Sequence, residues 1–270
     1  LNALFKEINL VVIITGASSG IGLATASFLA EKGLKVYGIS RNNFANEHFE
    51  NLTCDVTDFD AVGKTFKYIY EKEGKIDILI NNAGMGIAGA IEHTENENIK
   101  KLFDLNLLAV INGCKCVTPY MRSSGGGKII NIGSVAGIIP IPFQACYSAS
   151  KAAVNSFSMA FGLEVRDFKI QLTTVMPGDT KTGFTSNRIK NELLADDLYK
   201  DRINNSINKM EKDEKNGVSP LCVSKVIYKV ICKKKSPTNV TVGFNYKTIV
   251  FLSRILPRKF MLKIVKKMYG

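Results

Sequence analysis

Leu10-Val-Val-Ile-Ile-Thr15-Gly-Ala-Ser-Ser-Gly20-Ile-Gly22 decides how the rest of the chain is read. Its first five residues are a short, continuous, largely β-branched run, the pattern of a strand buried on both faces of a parallel sheet. The run passes into glycine-rich Thr15-Gly-Ala-Ser-Ser-Gly-Ile-Gly22, and then into a helical pattern through Leu23, Ala26, Phe28 and Leu29 to Gly33. In that setting Gly16 permits a tight turn, Gly20 lets backbone approach a pyrophosphate, and Gly22 lets helix and strand pack closely. A phosphate then rests on the free N–H groups and positive dipole of a helix N-terminus, with Ser18, Ser19 and Ile21 as candidate contacts. A glycine turn without a ligand is the alternative, and the strand and helix on either side weigh against it.

Outward from this motif the chain alternates. Lys35-Val-Tyr-Gly-Ile39 reads as the second strand, Asn51 to Thr57 as the third, residues 58–73 as a helix, and Ile76 to Ile80 as the fourth strand. The loop before the third strand leaves no room for a full crossover helix. A helix from Glu95 to Met121, a strand Lys128 to Gly133, a helix to about Asp167 and a strand Ile170 to Met176 follow. Such alternation predicts an α/β fold, a doubly wound parallel sheet with helices on both faces. Ligands in these sheets bind beyond the strands' C-terminal ends. Gly16, Asp55, Asn81, Ser134 and Pro177 all fall at such ends.

At the second strand's end, where a carboxylate would hydrogen-bond a ribose 2′-hydroxyl, stand Ser40 and Arg41. Ser plus Arg accepts a 2′-phosphate instead, so the sequence favours NADP(H), with NAD(H) the alternative. Asp55, followed by Val56, is placed to meet an adenine amino group. Asn81-Asn82-Ala83-Gly84 offers small residues for close backbone approach and amides that brace neighbouring strands. Asn106, within an apolar helical stretch, needs polar partners if buried.

Tyr147 and Lys151 lie four apart on a helical pattern, so they share a face. An ammonium beside a phenol favours the phenolate and lowers its pKa, which suits proton exchange with a carbonyl or alcohol oxygen. Ser134 can donate a hydrogen bond to the same oxygen.

The chain has 270 residues, 46% hydrophobic and 22% charged, without a linker or repeat, which suits one domain over residues 1–245 with a helical extension over 246–270. No apolar run is long enough to span a bilayer, and the first leads into glycines rather than a cleavage site, so a cytoplasmic protein is expected. Six cysteines without a Cys-x-x-Cys pair, and only two His, argue against a metal and for buried free thiols. The net charge of +12 is confined to the end: Val218 to Gly270 holds twelve Lys/Arg and no acidic residue, and upstream 24 basic residues balance 24 acidic ones. That is a local surface property and not the signature of a nucleic-acid binder.

Thr15-Gly-x-x-x-Gly-x-Gly22, Asn81-Asn-Ala-Gly84, Asn106, Ser134, Tyr147-x-x-x-Lys151 and Pro177-Gly178, in this order, resemble the motif set of the short-chain dehydrogenase/reductase family. The resemblance is strong over about residues 8–180 and looser to about 243. It implies a Rossmann fold, a nicotinamide cofactor and a homodimer or homotetramer built on the Tyr147 helix. It further implies Tyr147 as acid/base, Lys151 on the nicotinamide ribose, Ser134 polarising the substrate oxygen and Asn106 holding a water in a proton relay. Thr182 corresponds to the residue that contacts the cofactor carboxamide, with Thr180 a near alternative.

In this family the segment at residues 183–216 forms a substrate lid. Here it carries Leu193, Leu194, Leu198, Ile203 and Ile207 at helical spacing, which a solvated helical hairpin would explain equally. Phe143 and Met176 are candidates to line a pocket. The absence of a nearby Arg or Lys devoted to a carboxylate favours a hydrophobic ketone or alcohol. Val218 to Ile231 reads as a helix, Asn239 to Gly243 as a last strand, and Tyr246 to Met268 as two helices broken at Pro257. The second is basic and amphipathic, with Phe260, Met261, Ile264, Val265 and Met268 on one face. It suits peripheral membrane contact or, the preferred reading, packing over the pocket or on another subunit. This tail resembles those of bacterial relatives of steroid and lipid-carbonyl reductases. The reading is therefore an NADP(H)-dependent oxidoreductase of a hydrophobic ketone/alcohol pair. An NAD-dependent alcohol dehydrogenase, or a cofactor-binding or membrane-associated protein without turnover, are the alternatives.

Overall fold

The computed structural model describes residues 10–44, 46–184, 186–190 and 198–270. At its centre is β1 (Val11–Thr15), every residue of which is buried. It pairs in parallel with β2 (Lys35–Ser40) on one side and β4 (Ile78–Asn81) on the other. Beyond β2 lies β3 (Glu50–Thr53). Beyond β4 lie β6 (Gly127–Ile132), β7 (Ile170–Pro177) and β9 (Asn239–Val242), giving a seven-stranded parallel sheet of order β3-β2-β1-β4-β6-β7-β9. The strand order reverses between β1 and β4, so a crevice opens at their C-terminal ends.

Strand period two divides the core between the two faces. Val11 and Ile13 pack with Phe66 of α2 (Phe59–Glu73), Val110 of α4 (Ala109–Ser123) and Val154 of α5 (Ala145–Glu164). Val12 and Ile14 pack with Ala26 and Leu29 of α1 (Gly20–Glu31) and with Val223 and Ile227 of α7 (Pro220–Ile231). Local chemistry sets the ends of α2. Asp58 Oδ1 accepts from the Asp60 and Ala61 amides at 2.9 and 3.0 Å, and Gly74 closes the helix at φ +73°.

Three sequence expectations change. The third strand ends at Thr53 and not Thr57, because Asp55 Oδ1 accepts from the Thr57 amide and hydroxyl and turns the chain out of the sheet. The single helix expected over Glu95 to Met121 is α3 (Asn96–Phe103), a π turn (Asp104–Leu108) and α4. The π turn is centred on Asn106, whose side chain is engaged outside the helix. The lid segment contains a two-residue strand β8 (Ile189–Lys190), paired with β5 (Ile87–Ala88), and the helix α6 (Lys200–Lys215). Ile203 and Ile207 bury against Ala88 and Ala90, whereas Leu198 is 96% exposed and belongs to no apolar face. Leu193 and Leu194 lie outside the described residues. The expected break at Pro257 separates α8 (Phe244–Ile255) from α9 (Arg258–Tyr269). No described helix is long and apolar enough to cross a membrane.

Candidate active site

The glycine-rich turn is held by amides from the neighbouring strand. Asn82 N and Ala83 N donate to Thr15 Oγ1 at 2.9 and 3.1 Å, and Asn82 Nδ2 donates to the carbonyls of Thr15 and Gly16 at 2.9 and 3.2 Å. Gly16 sits at φ +68°, and a Cβ on Gly22 would stand 2.1 Å from the Gly16 carbonyl oxygen. Thr15 and Gly22 are thus the floor, while Gly16, Ser18, Ser19, Gly20 and Ile21 line the cleft above. No side chain caps α1 and its first turn has no acidic residue, leaving its N-terminal amides to an anion. These features fit a dinucleotide pyrophosphate.

At one end of the cleft lie Ser40, Arg41, Asp55 and Val56. Ser40 Oγ donates to the Asn42 carbonyl at 2.6 Å, and the exposed Arg41 places a cation at this rim beside Asp55. Bonds from the Thr57 amide and hydroxyl hold the Asp55 carboxyl below its usual range. Ala83 and Gly84 border the middle of the cleft, as do Pro177 and Gly178. Thr182 stands over the turn, its Cβ 3.4 Å from where a Gly20 side chain would begin, and Thr180 Oγ1 donates to the Gly178 carbonyl at 3.0 Å.

Ser134, beyond β6, and Tyr147 and Lys151, on the first turns of α5, meet beside this cleft. Lys151 Nζ lies 6.0 Å from the Tyr147 ring centre and donates to the Ile132 carbonyl at 2.9 Å. Burial pushes the Lys151 ammonium down to about 8. Burial also pushes the Tyr147 phenol above its ordinary value, opposed by the Ser134 hydroxyl and the charge of Arg188. The expected lowering by Lys151 is therefore not found, because the cost of burying a phenolate outweighs the pull of nearby charges. A phenol in this state is a proton donor at neutral pH.

Asn106 is fully buried and does not line the cleft. Its Oδ1 accepts from the Met85 amide at 2.8 Å, and its Nδ2 donates to the Met85 carbonyl at 2.9 Å and to Ser150 Oγ at 3.1 Å. Ser150 Oγ in turn donates to the Tyr147 carbonyl at 2.8 Å. The side chain is fully employed tying the Met85 loop to the Tyr147 helix.

The pocket wall differs from the sequence expectation. Met176 is buried in the sheet, and Phe143 packs with Ile203 and Ile207 of α6. Instead, Ile139, Ile141, Phe184 and Ile189 surround the reacting region. The Phe184 ring is 5.7 Å from that of Tyr147, and the Arg188 guanidinium is 6.0 Å from Phe184. Arg188, ion-paired with Glu214 and with its side chain wholly buried, puts a cation near Tyr147 that the sequence did not reveal. It lies among several Lys and Arg of a polar segment, and only the β5–β8 pairing brings it inward. Farther along, the Tyr246 ring covers Gly178 and its hydroxyl donates to Asp179. Ile249, Leu252, Met261 and Val265 of α8 and α9 extend the cleft, whose volume is about 1600 Å³. All six cysteines are free, although Cys222 is exposed, contrary to the expectation of burial. No group of residues able to hold a metal occurs among the described residues.

A family model described as short chain dehydrogenase matches residues 10–193. The chain is 43% identical over 235 residues to a 3-ketodihydrosphingosine reductase of Bacteroides thetaiotaomicron, covering 86% of this chain and 87% of that protein. It is 31% identical over 252 residues to a probable short-chain type dehydrogenase/reductase, VdlC, of Helicobacter pylori, covering 92% and 93%. A short-chain dehydrogenase structure from Streptomyces avermitilis superposes with a TM-score of 0.82 at 25% identity, over 97% of each chain. Sequence, topology and the strand-end cleft agree, and the chain belongs to the short-chain dehydrogenase/reductase family as an NAD(P)-dependent oxidoreductase.

Proposed function

We propose that this enzyme reduces a ketone carried on a long apolar molecule, using NADPH. One observation carries the reading. A single cleft joins the N-terminus of α1, the Tyr147–Lys151 pair and an apolar wall built by α8 and α9. The name of the Bacteroides thetaiotaomicron relative, a 3-ketodihydrosphingosine reductase, supports a lipid ketone. Incubation with NADPH and a long-chain ketone should yield the corresponding alcohol by mass spectrometry. Tight NADPH binding with no product from any long-chain ketone would instead leave a cofactor-binding protein.

In this reading the α1 amides, with Ser18, Ser19 and Ile21, hold the pyrophosphate, while Asp55 and Val56 border the adenine. Gly84, Pro177, Gly178 and one of Thr180 and Thr182 flank the nicotinamide, which supplies the hydride. Ser134 orients the substrate oxygen, Tyr147 passes its hydroxyl proton to that oxygen, and Lys151 holds the ribose and balances the charge left on the phenol. The Asn106 side chain acts as a brace, since its polar atoms are already bonded. Tyr147 sits on α5, the helix on which a homo-oligomer of this enzyme would be built.

The raised Tyr147 pKa favours one direction. Reduction needs the protonated phenol and should be nearly constant through neutral pH, falling only in alkali. Oxidation of the product alcohol needs the phenolate, so its rate should climb with pH from about 6 to 8, above which Lys151 begins to lose the charge that supports the phenolate. Initial rates in both directions across that range check this; an oxidation rate that levels off near neutrality would contradict the raised phenol.

Arg41 supports NADPH over NADH. Arg41→Ala is expected to weaken NADPH binding about tenfold, the loss of one charge-assisted phosphate contact, and to leave NADH nearly unchanged. Titration of the two reduced cofactors by fluorescence measures both. Equal affinities that the substitution does not alter would favour the NAD-dependent reading.

A further inference from the structure

Helices α8 and α9 have inner faces that line the cleft and outer faces that nothing among the described residues covers. On α8, Phe244, Phe251 and Ile255 fall at i, i+7 and i+11, one stripe of the helix, and they are 84%, 60% and 64% exposed. On α9, Phe260, Ile264 and Met268 fall at i, i+4 and i+8 and are also exposed. Phe244, Leu252, Ile264 and Met268 are exposed and also line the cleft, so they form an apolar rim at its mouth. Seven Lys/Arg lie between Lys247 and Lys267, with no acidic residue from Val218 onward. Upstream, Lys190, Lys209 and Arg188 are ion-paired, but none of those seven has an acidic partner among the described residues.

We infer that the outer faces of α8 and α9 rest on a lipid bilayer bearing anionic headgroups, with the cleft mouth opening into it. Exposed Phe and Ile beside unpaired Lys and Arg are the two halves of an interfacial helix. The apolar half enters the acyl boundary and the cationic half meets the headgroups. A second copy of the chain would satisfy the apolar stripe, but would bring seven further cations against seven. Charge complementarity therefore selects the anionic surface. The inference deepens the long-chain-ketone reading, on which it rests, by giving a water-insoluble substrate a dry route from the bilayer past Leu252 and Met268.

The chain contains no Trp, so Phe260→Trp, at an exposed position, reports from the proposed surface alone. With vesicles of phosphatidylcholine containing one third phosphatidylglycerol, its emission should shift to the blue and the full-length protein should co-sediment. Phosphatidylcholine alone or high salt should abolish both effects. Lys259→Gln with Lys263→Gln should lower the partition coefficient roughly 20-fold, and Phe251→Ser at least tenfold, with unchanged melting. Emission unchanged by anionic vesicles would overturn the inference. So would a concentration-dependent dimer broken by Phe251→Ser without vesicle binding, which would assign the face to a second copy. Turnover of a short, water-soluble ketone is followed separately. Its loss bears on the reductase reading, whereas failed vesicle binding with turnover intact bears only on the surface.

Discussion

Tyr147→Phe should lower kcat for ketone reduction by about 10³-fold while NADPH affinity changes less than about threefold. The substitution removes one oxygen and keeps the ring that packs 5.7 Å from Phe184, so the wall of the cleft survives. What is lost is the donor for the oxygen on which charge develops as hydride arrives. Ser134 still offers a hydrogen bond there, which sets the residual rate, but an aliphatic hydroxyl is too weak an acid to give its proton up to that oxygen as the phenol does. Single-turnover oxidation of bound NADPH measures the step without interference from product release. A fall of less than tenfold would mean that the proton comes from elsewhere.

Lys151→Met is expected to lower kcat by at least about 10²-fold and, unlike the Tyr147 substitution, to change how stability depends on pH. The ammonium is buried, and its pKa is pushed from the ordinary 10.5 to about 8. Between those values the unfolded chain binds a proton that the native chain does not, so this group's contribution to native stability rises with pH through this window. It works against the fall that buried thiols such as Cys114, pushed from 9.0 up to about 12, contribute above 9. Below about pH 8 the buried charge costs roughly 3 kcal/mol relative to an unperturbed lysine. Met removes that cost but leaves the Ile132 carbonyl without the donor that bonds it at 2.9 Å, a loss of about 1–3 kcal/mol. The variant should therefore be as stable as the parent near neutrality, or slightly more so, and should lack the rise that Lys151 contributes between pH 8 and 10.5. Denaturant unfolding of the cofactor-free proteins at several pH values checks this. A rise retained in Lys151→Met would assign it to another group.

Several parts of the site were legible in the sequence because their signals are contiguous. The glycine turn announces itself by spacing alone, and the structure shows the same spacing used for the tight turn at Gly16 and the contact of Gly22 with the Gly16 carbonyl. Tyr147 and Lys151 share a helix face in any helix that contains them. Parallel strands buried on both faces read as nearly continuous apolar runs, which made β1 and β4 readable. The parallel sheet and its seven strands followed from their alternation with helices, whereas the strand order is visible only in the structure.

What stayed hidden depends on segments far apart in sequence. Arg188 becomes a buried neighbour of Tyr147 only through the pairing of β8 with β5, two residues from each side. The sequence reads its last helix as packing over the pocket or on another subunit, and α9 lines the cleft. Which residues wall it is a matter of docking, and Phe143 and Met176, close in sequence to the reacting residues, do not. The π turn at Asn106 arises because its amide bonds to Met85, a residue 21 positions away. The direction of the Tyr147 shift was missed for a related reason. Spacing reveals the ammonium beside the phenol but not how much water the fold removes from both.

The most direct measurement is the consumption of reduced nicotinamide by the wild-type enzyme with a series of ketones of growing alkyl chain. If α8 and α9 receive the chain, kcat/KM should rise roughly fourfold for each added methylene until the apolar wall is covered, at about 0.8 kcal/mol per group. Tyr147→Phe should flatten the whole series near zero. A kcat/KM that is the same for short and long ketones, or a long-chain ketone that leaves bound NADPH unconsumed, would contradict the account.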